Sequence, residues 1–190
     1  MVKTEWLKFY EPGEQPSRFS RVVQSWDTAN KAGELNDYSV CTTWRVLYKE
    51  YFLLDVLRPR LNYPDLKRLV VEHARRFKAN TVLIEDKASG TQLIQDLKED
   101  GLFSTKAYEP PPGADKVLRL HAQTAMFENG IVRLPKAAPW LHDYLLELTS
   151  FPGSKFDDQV DSTTQALDYL RIDNSLEIWR KLGEQCVASR

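Results

Sequence analysis

The order of strand-like and helix-like segments restricts the fold of this chain more than any other feature of its sequence. Three runs rich in β-branched and aromatic residues come first, and Lys49 and Glu50 lie where the second passes into the third. These runs are RVVQSWDTA (21–29), SVCTTWRVLY (39–48) and EYFLLDVLR (50–58). They predict three consecutive antiparallel strands, of which the last two form a hairpin.

Helical and strand-like patterns alternate after this hairpin. PDLKRLVVEHARRF (64–77) has apolar side chains at helical spacing, and NTVLIED (80–86) is a short apolar run typical of a buried strand. A helix follows in KASGTQLIQDLKEDG (87–101), where Ser89 and Gly90 predict a turn that lets the helix start close to the sheet. Further patterns predict a strand within 105–116, a helix in 117–130, a short strand in 131–135 and helices in 138–151 and 158–170. The whole order predicts an α/β fold, a mixed sheet flanked by helices.

The length of the chain sets the number of domains. A sequence of 190 residues is long enough for one well-buried domain and too short for two of ordinary size. Pro12, Gly13 and Pro16 interrupt regular structure near the start. We therefore expect a lead-in segment at 1–19, one domain at 20–172 and a C-terminal helix or tail at 173–190.

Charge and cysteine content exclude few functions. The formal net charge of −1 argues against a uniformly basic nucleic-acid binder but leaves room for a local basic groove. Cys41 and Cys186 lie far apart, so neither a disulfide framework nor a zinc site is expected. No apolar run approaches the roughly 20 residues of a membrane span, and the first residues are too polar for a secretory signal. We expect a soluble, intracellular protein with no membrane partner.

Acidic side chains stand at the ends of two predicted strands and at the start of the last helix. They are Asp27, Glu85, Asp86, Asp157, Asp158 and Asp161. Binding sites of α/β sheets gather at strand ends. Asp158 and Asp161 are one helical turn apart, and two unit charges about 4 Å apart repel by roughly 1 kcal/mol in water. Bound cations would offset this repulsion, whereas the alternative is an ordinary helix start in which one aspartate caps the first turn.

Carboxylates from three separate segments are what a two-metal phosphodiester site needs. Oxygen ligands suit Mg²⁺ or Mn²⁺, and two ions about 3.5–4 Å apart stabilise both the attacking and the leaving oxygen. The six acidic residues are therefore candidate ligands of two divalent ions.

Four stretches of the sequence resemble one protein family. SWDTA (25–29), VLIEDKASGTQLIQDL (82–97), DKVLRLHAQTAMFENGIVRLP (115–135) and FDDQVDSTTQALDYL (156–170) are similar to the C-terminal nuclease domain of the large terminase subunit of tailed bacteriophages and prophages. The motifs are specific in combination and weak one by one. The resemblance implies a ribonuclease H-like fold, shared with Holliday-junction resolvases, and a metal-dependent endonuclease that cuts concatemeric viral DNA during genome packaging.

The resemblance also implies a ligand set and partners. Asp27 matches the first-strand aspartate, Glu85 or its neighbour Asp86 the second acidic ligand, and Asp158 with Asp161 the last, which makes Asp27, Glu85 and Asp158 the expected catalytic residues. The partners would be double-stranded DNA, an ATPase domain, the small terminase subunit and the portal, in the cytoplasm of an infected or lysogenic host cell. The sequence has no GxxxxGK[ST] phosphate loop, so the ATPase half is not expected in this chain.

Two choices between neighbouring acids stay open in the sequence. Alternate residues of a strand face opposite ways, so at most one of Glu85 and Asp86 should project to the site, and we rank Glu85 first. Asp86 is kept as a second ligand or a structural partner of Lys87. On the helix, Asp157 should point aside if Asp158 faces the site, and the alternative has Asp157 as ligand and Asp158 as cap.

Basic side chains flank the acidic segments, and together they predict a track for DNA phosphates. They are Lys87, Lys116, Arg119, Arg133 and Lys155. For each of them alone, a solvated surface charge is the alternative. The histidines, His73, His121 and His142, have no partner at ligand spacing and are expected to be packed or surface residues.

Two other functions fit the same residues. A cellular nuclease of the same fold, such as a resolvase or transposase relative, would show strong structure or site specificity. Assays on linear duplex DNA against four-way junctions separate it from a packaging nuclease. A non-catalytic DNA-binding or docking module of the same fold would bind no metal.

Overall fold

The computed structural model of the chain describes residues 1–11, 13, 21–28, 38–87 and 89–188, with 174–188 described by their backbone alone. Seven strands and five α-helices lie within these residues. The strands are β1 (Lys8–Tyr10), β2 (Arg21–Asp27), β3 (Val40–Leu47), β4 (Glu50–Leu57), β5 (Thr81–Glu85), β6 (Thr105–Tyr108) and β7 (Val132–Pro135). The helices are α1 (Tyr63–Phe77), α2 (Ser89–Glu99), α3 (Lys116–Glu128), α4 (Leu141–Ser150) and α5 (Asp158–Ala188), after a short 3-10 helix at Thr4–Trp6. None of the helices in the described ranges has the length and apolar character that crossing a membrane requires.

One mixed sheet contains the seven described strands, in the order β1-β7-β4-β3-β2-β5-β6. β3 pairs antiparallel with β2 and with β4, which confirms the three consecutive antiparallel strands. β5 pairs parallel with β2 and β6 with β5, while β7 and then β1 continue parallel to β4 on the other side. β2, β4, β5 and β6 therefore point the same way. We call the edge at which these four strands end the carboxyl edge.

Two elements of the structure lie in the segments expected at the ends of the chain. Lys8–Tyr10 lies in the expected lead-in, yet it forms β1 and pairs with Arg133–Pro135 of β7, so this part of the segment belongs to the sheet. A strand of three residues is too short to show a hydrophobic period. At the other end, α5 runs without a break from the expected domain into the expected tail. The division at 19 and 172 otherwise stays a prediction.

Each face of the sheet packs against its own layer of helices. Leu83 of β5 is buried in a core with side chains of α3, α4 and α5, whereas its neighbours Val82 and Ile84 belong to a second core with α1 and α2. This alternation follows from the two-residue repeat of a strand. Trp44 and Trp26 are fully buried on opposite faces of the sheet.

Candidate active site

Asp27 and Glu85 are neighbours at the carboxyl edge. Asp27 is the last residue of β2 and Glu85 the last residue of β5, and these strands pair in parallel with Trp26 opposite Ile84. Both acidic side chains are half-buried. The two strand-end acids singled out in the sequence therefore lie side by side.

The first turn of α5 brings further carboxylates to Asp27. Burial raises the pKa of the Asp27 carboxyl well above its ordinary value, and repulsion from Asp161, Asp158 and Glu85 raises it further. Lys116 opposes part of this repulsion. Three carboxylates from β5 and α5 thus repel the Asp27 carboxylate of β2 at one edge of the sheet.

Buried hydrogen bonds fix the position of α5 on the sheet. Ser162 Oγ donates to the carbonyl oxygen of Ser25 over 2.7 Å, and Ser25 Oγ donates to the carbonyl oxygen of Ser162 over 2.7 Å. The backbone N–H of Thr42 in β3 donates to Ser162 Oγ over 3.0 Å. A rotation of α5 would leave these buried groups unpaired, at about 1–3 kcal/mol each. The hydrogen bonds therefore hold the first turn of α5 beside Asp27.

Glu147 of α4 caps the N-terminus of α5. Its Oε1 accepts from the backbone N–H of Gln159 over 2.7 Å and of Val160 over 3.2 Å, and its Oε2 accepts from Gln159 Nε2 over 2.6 Å. A carboxylate at this position also complements the helix macrodipole. The side chain of Asp157, a candidate cap in the sequence, is bound to Lys116 instead. Sequence reasoning missed Glu147 because capping motifs are local, and this cap comes from another helix.

Lys116 and Arg119 of α3 bind two of the acidic candidates. Lys116 Nζ lies 2.8 Å from Asp157 Oδ1 and 2.6 Å from Asp161 Oδ2, and Arg119 Nη2 donates to Asp161 Oδ1 over 2.9 Å. Burial acts to lower the pKa of Lys116, but the hydrogen bonds to both aspartates outweigh it and raise the pKa above its ordinary value. Both oxygens of Asp161 are therefore bound by cations.

Asp158 has a different set of neighbours. Its Oδ2 lies 3.9 Å from Arg58 Nη2, which is too long for a hydrogen bond. Burial raises the pKa of Asp158 to about 6, and repulsion from Glu147 and Asp157 contributes to the rise. Asp158 contributes to the raised pKa of Asp27, and among the described residues no cation lies within hydrogen-bond distance of its carboxylate, unlike that of Asp161.

The turn after β5 separates Glu85 from Asp86. Asp86 is exposed and its Oδ1 accepts a hydrogen bond from Thr91 Oγ1 of α2 over 2.6 Å, whereas Glu85 is the one that acts on Asp27. Gly90 lies against this turn, because a Cβ added to it would be 2.1 Å from the Glu85 carbonyl oxygen. Which of Glu85 and Asp86 is a metal ligand stays a prediction.

The five basic side chains expected to contact DNA do not form one track. Lys116 and Arg119 are bound to aspartates, as described above. Arg133 Nη2 is 2.7 Å from Glu50 Oε1 at the start of β4, so the structure does not bring it to the carboxyl edge. Lys87 and Lys155 are exposed. Two further cations, Arg58 and Arg60, follow the end of β4 at this edge, and sequence reasoning missed both.

The carboxylates do not yet form a closed ligand set. In the part of the chain that the structure describes, no three histidine, cysteine, aspartate or glutamate side chains are grouped so that they could hold a metal ion as they stand. Asp157 and Asp161 face the Lys116 ammonium, and Asp86 faces Thr91.

A protein-family model described as the terminase RNaseH-like domain matches residues 24–170. The chain belongs to this family. A search of curated proteins found no significant match. The match to the terminase family includes the end of β2, all of β5 and the first turns of α5, and so all of the acidic candidates.

Solved structures of terminase nucleases share this fold. The large terminase nuclease of thermophilic phage G20c, with bound cobalt, aligns with a TM-score of 0.66 at 15% identity, over 86% of this chain and 93% of that one. The g2p (large terminase) nuclease domain of bacteriophage SPP1, with bound Mn, aligns with a TM-score of 0.61 at 17% identity, over 89% and 99%. The large terminase of another thermophilic bacteriophage aligns with a TM-score of 0.60 at 10% identity, over 81% of this chain and 41% of that one. The ribonuclease H-like fold expected from the sequence is confirmed.

Proposed function

We propose that this chain is the metal-dependent endonuclease domain of a phage DNA-packaging terminase large subunit, which cuts concatemeric double-stranded DNA. The observation that carries the proposal is the match of the terminase RNaseH-like family model to residues 24–170, which include Asp27 and Glu85 at neighbouring strand ends and Asp158 at the start of α5. Strand-end carboxylates suit divalent ions, and the relatives from phages G20c and SPP1 were solved with cobalt and Mn bound.

The residues at this edge fit a divalent cation in both chemistry and charge. Asp27, Glu85 and Asp158 offer oxygen atoms, the donors that Mg²⁺ and Mn²⁺ prefer. The burial of Asp27 among like charges is unfavourable, and a bound cation would offset it. We assign two ions, Mg²⁺ or Mn²⁺, to these three carboxylates. Such ions, when bound, activate water and stabilise the leaving 3′ oxygen.

The other acidic candidates receive supporting roles. Asp161 has both oxygens bound by cations, so we assign it to position Lys116 and Arg119 rather than to hold a metal ion. Asp157 shares Lys116 with it, and Lys116 lessens the repulsion on Asp27. Asp86, bound to Thr91, stabilises the turn after β5.

The proposal extends to the packaging motor. There the domain would act with an ATPase domain, the small terminase subunit and the portal, in the cytoplasm of the infected or lysogenic host cell. The support for this setting is the alignment with 41% of a large terminase from a thermophilic bacteriophage.

Plasmid cleavage tests the proposed activity. We expect the purified protein to nick or linearise supercoiled plasmid with Mg²⁺ or Mn²⁺ and to be inactive in EDTA, because the proposed ligands are all oxygen atoms. Asp27→Asn should abolish cleavage and leave the melting temperature equal or higher, since it removes one charge from a repelling set. Sustained cleavage in EDTA would remove the metal mechanism. Preferred cleavage of four-way junctions over linear duplex DNA would favour the cellular nuclease instead.

A further inference from the structure

Three cations and two aromatic rings form a cluster beside the carboxylates. The Arg58 guanidinium carbon lies 4.1 Å from the ring centre of Tyr38 and 4.5 Å from that of Phe156. The Arg60 guanidinium lies 4.1 Å from the same Tyr38 ring, and Lys155 Nζ lies 5.1 Å from the Phe156 ring. We call these five residues the cationic shelf.

The cationic shelf lies at the same edge of the sheet as Asp27. Arg58 and Arg60 follow β4, which ends there, and the N–H of Ser39, just before β3, donates to the Pro59 carbonyl oxygen over 2.9 Å. Tyr38 precedes Ser39, and Lys155 and Phe156 come just before α5, whose first turn carries Asp158. Arg58 Nη2 lies 3.9 Å from Asp158 Oδ2, so the shelf is next to one of the proposed metal ligands.

The donors of the shelf are largely unused. Arg58 Nε and Nη2 are buried and have no hydrogen-bond partner among the described residues, and Nη2 lies 4.0 Å from Glu147 Oε2 and 3.9 Å from Asp158 Oδ2. Arg60 and Lys155 are exposed, and within the described ranges neither has a carboxylate inside 4.0 Å. The accessible positive charges of the shelf are therefore Arg60 and Lys155, while Arg58 links the shelf to Asp158.

The aromatic rings restrict the orientations of the two arginines, which favours binding of a phosphate. A guanidinium stacked on a ring has fewer orientations to lose when it binds, and its N–H groups match two oxygens of a phosphate. A groove of about 470 Å³, lined by Arg58, Lys155 and Phe156 and also by Asp143 and Glu147, opens next to the shelf. A strand of DNA offers a row of phosphates to such a row of cations.

We propose that the cationic shelf binds the phosphodiester backbone of double-stranded DNA and guides it to the carboxylates at the carboxyl edge. This inference rests on the proposed nuclease function and adds the surface that holds the substrate. Lys155 is the one residue that the shelf shares with the track expected from the sequence.

Salt-dependent DNA binding tests the shelf without cleavage. The affinity of a fluorescein-labelled duplex is measured by anisotropy in EDTA at several salt concentrations. Each lost phosphate contact reduces the magnitude of the slope of log affinity against log salt concentration by about 0.9. The Arg60→Ala, Lys155→Ala double variant should therefore reduce it by about 1.8. The reduction should be the same for duplexes of different sequence. Arg58→Lys keeps the charge but loses the planar fork, and should weaken binding with a smaller change in slope.

Arg76→Ala is the matched control for these variants. Arg76 is exposed and lies 5.3 Å from the ring of Phe77, but it stands in the last turn of α1, which leads to the start of β5 at the opposite edge of the sheet. It should bind DNA like the wild type. Melting temperatures of all variants check that they fold.

The outcomes separate the shelf from the nuclease proposal. Wild-type binding by the Arg60→Ala, Lys155→Ala variant, or an equal loss in Arg76→Ala, overturns the shelf even if plasmid is cleaved. The same double variant is also tested for binding to a labelled acidic peptide. If it binds DNA like the wild type but has lost affinity for the peptide, the shelf is a site for a protein partner and the DNA proposal is overturned. A reduced slope in a protein that cleaves no DNA supports the shelf and contradicts the nuclease.

Discussion

Close contact between Gly90 and Glu85 shows how one residue without a side chain can position a proposed ligand. α2 begins against the end of β5, and a Cβ at Gly90 would meet the Glu85 carbonyl oxygen at 2.1 Å and its carbonyl carbon at 3.3 Å. Backbone cannot rotate away as a flexible side chain can. The glycine therefore lets α2 start where the turn after β5 can keep Glu85 beside Asp27.

Replacing Gly90 by alanine should destabilise the protein. An alanine in a helix normally gains about 1 kcal/mol over glycine, but here the clash should cost about 1–3 kcal/mol and shift the Glu85 backbone. We expect a lower urea midpoint and weaker Mn²⁺ binding by calorimetry.

Gly13→Ala is the control, because a Cβ there meets nothing within 4 Å. A Gly90→Ala protein with wild-type stability and Mn²⁺ affinity would show that this close approach does not position the ligand.

Packing of α1 against the sheet buries a histidine in its neutral form. His73 is buried, its Nε2 is 3.1 Å from Thr43 Oγ1, and Asp55 Oδ2 lies 3.7 Å away. Burial lowers the pKa of His73 to about 4, with Asp55 opposing and Arg76 adding to the effect. The structure thus agrees with the expectation of a packed histidine.

The lowered pKa of His73 should make stability depend on pH. Between pH 6.5 and 4 the unfolded chain binds a proton at this site that the folded chain does not, so stability falls as the pH falls, by about 3 kcal/mol in total. His73→Gln should remove this part of the pH dependence in urea unfolding at pH 7 and pH 4. His142→Gln, at an exposed histidine, should leave it unchanged. Equal pH profiles for wild type and His73→Gln would contradict the assignment.

α5 depends on α4 for its first turn. The Glu147 carboxylate satisfies two backbone N–H groups of α5, while Asp157 at the helix start is bound to Lys116. Glu147 is nearly fully buried, whereas the pair of Asp157 and Lys116 is partly exposed. The cap should therefore matter more for stability than the ion pair.

Alanine variants should separate these two contacts. Glu147→Ala leaves two buried N–H groups without a partner and should lower the free energy of unfolding by about 2 kcal/mol. Asp157→Ala removes a partly exposed ion pair and should change it by less than about 1 kcal/mol. Chemical denaturation of both variants at pH 7 measures the difference. A larger loss in Asp157→Ala would return the capping role to that residue.

At the scale of the whole molecule, the direction of the strands decides which residues meet. The order of strands and helices, the antiparallel hairpin and the strand-end positions of Asp27 and Glu85 follow from hydrophobic patterns, because these patterns are local. The existence of β1 does not follow from such patterns, because a strand of three residues shows no hydrophobic period and its partner β7 is distant in sequence. Arg58 and Arg60 were missed for a related reason: β4 ends at the same edge as β2, which lies elsewhere in the sequence, and there Arg58 comes near Asp158.

Metal binding should stabilise the entire fold, because the proposed ligands come from β2, β5 and α5. At a free Mn²⁺ concentration of about 100 times the dissociation constant, a ligand that binds the folded state alone adds about 2.7 kcal/mol. For a chain of this size that corresponds to a rise in melting temperature of about 5–10 °C, measurable by calorimetry in Mn²⁺ against EDTA.

Variants of the two neighbouring acids after β5 assign the second ligand by the same measurement. Glu85→Gln should lose most of the Mn²⁺-dependent rise in melting temperature, because Glu85 is the acid that acts on Asp27. Asp86→Asn should keep it, because the Asp86 side chain is held by Thr91. Both substitutions preserve size and remove one charge, so each is the control for the other. A full rise in Glu85→Gln together with its loss in Asp86→Asn would make Asp86 the ligand and would require the turn at Gly90 to rearrange when the ion binds.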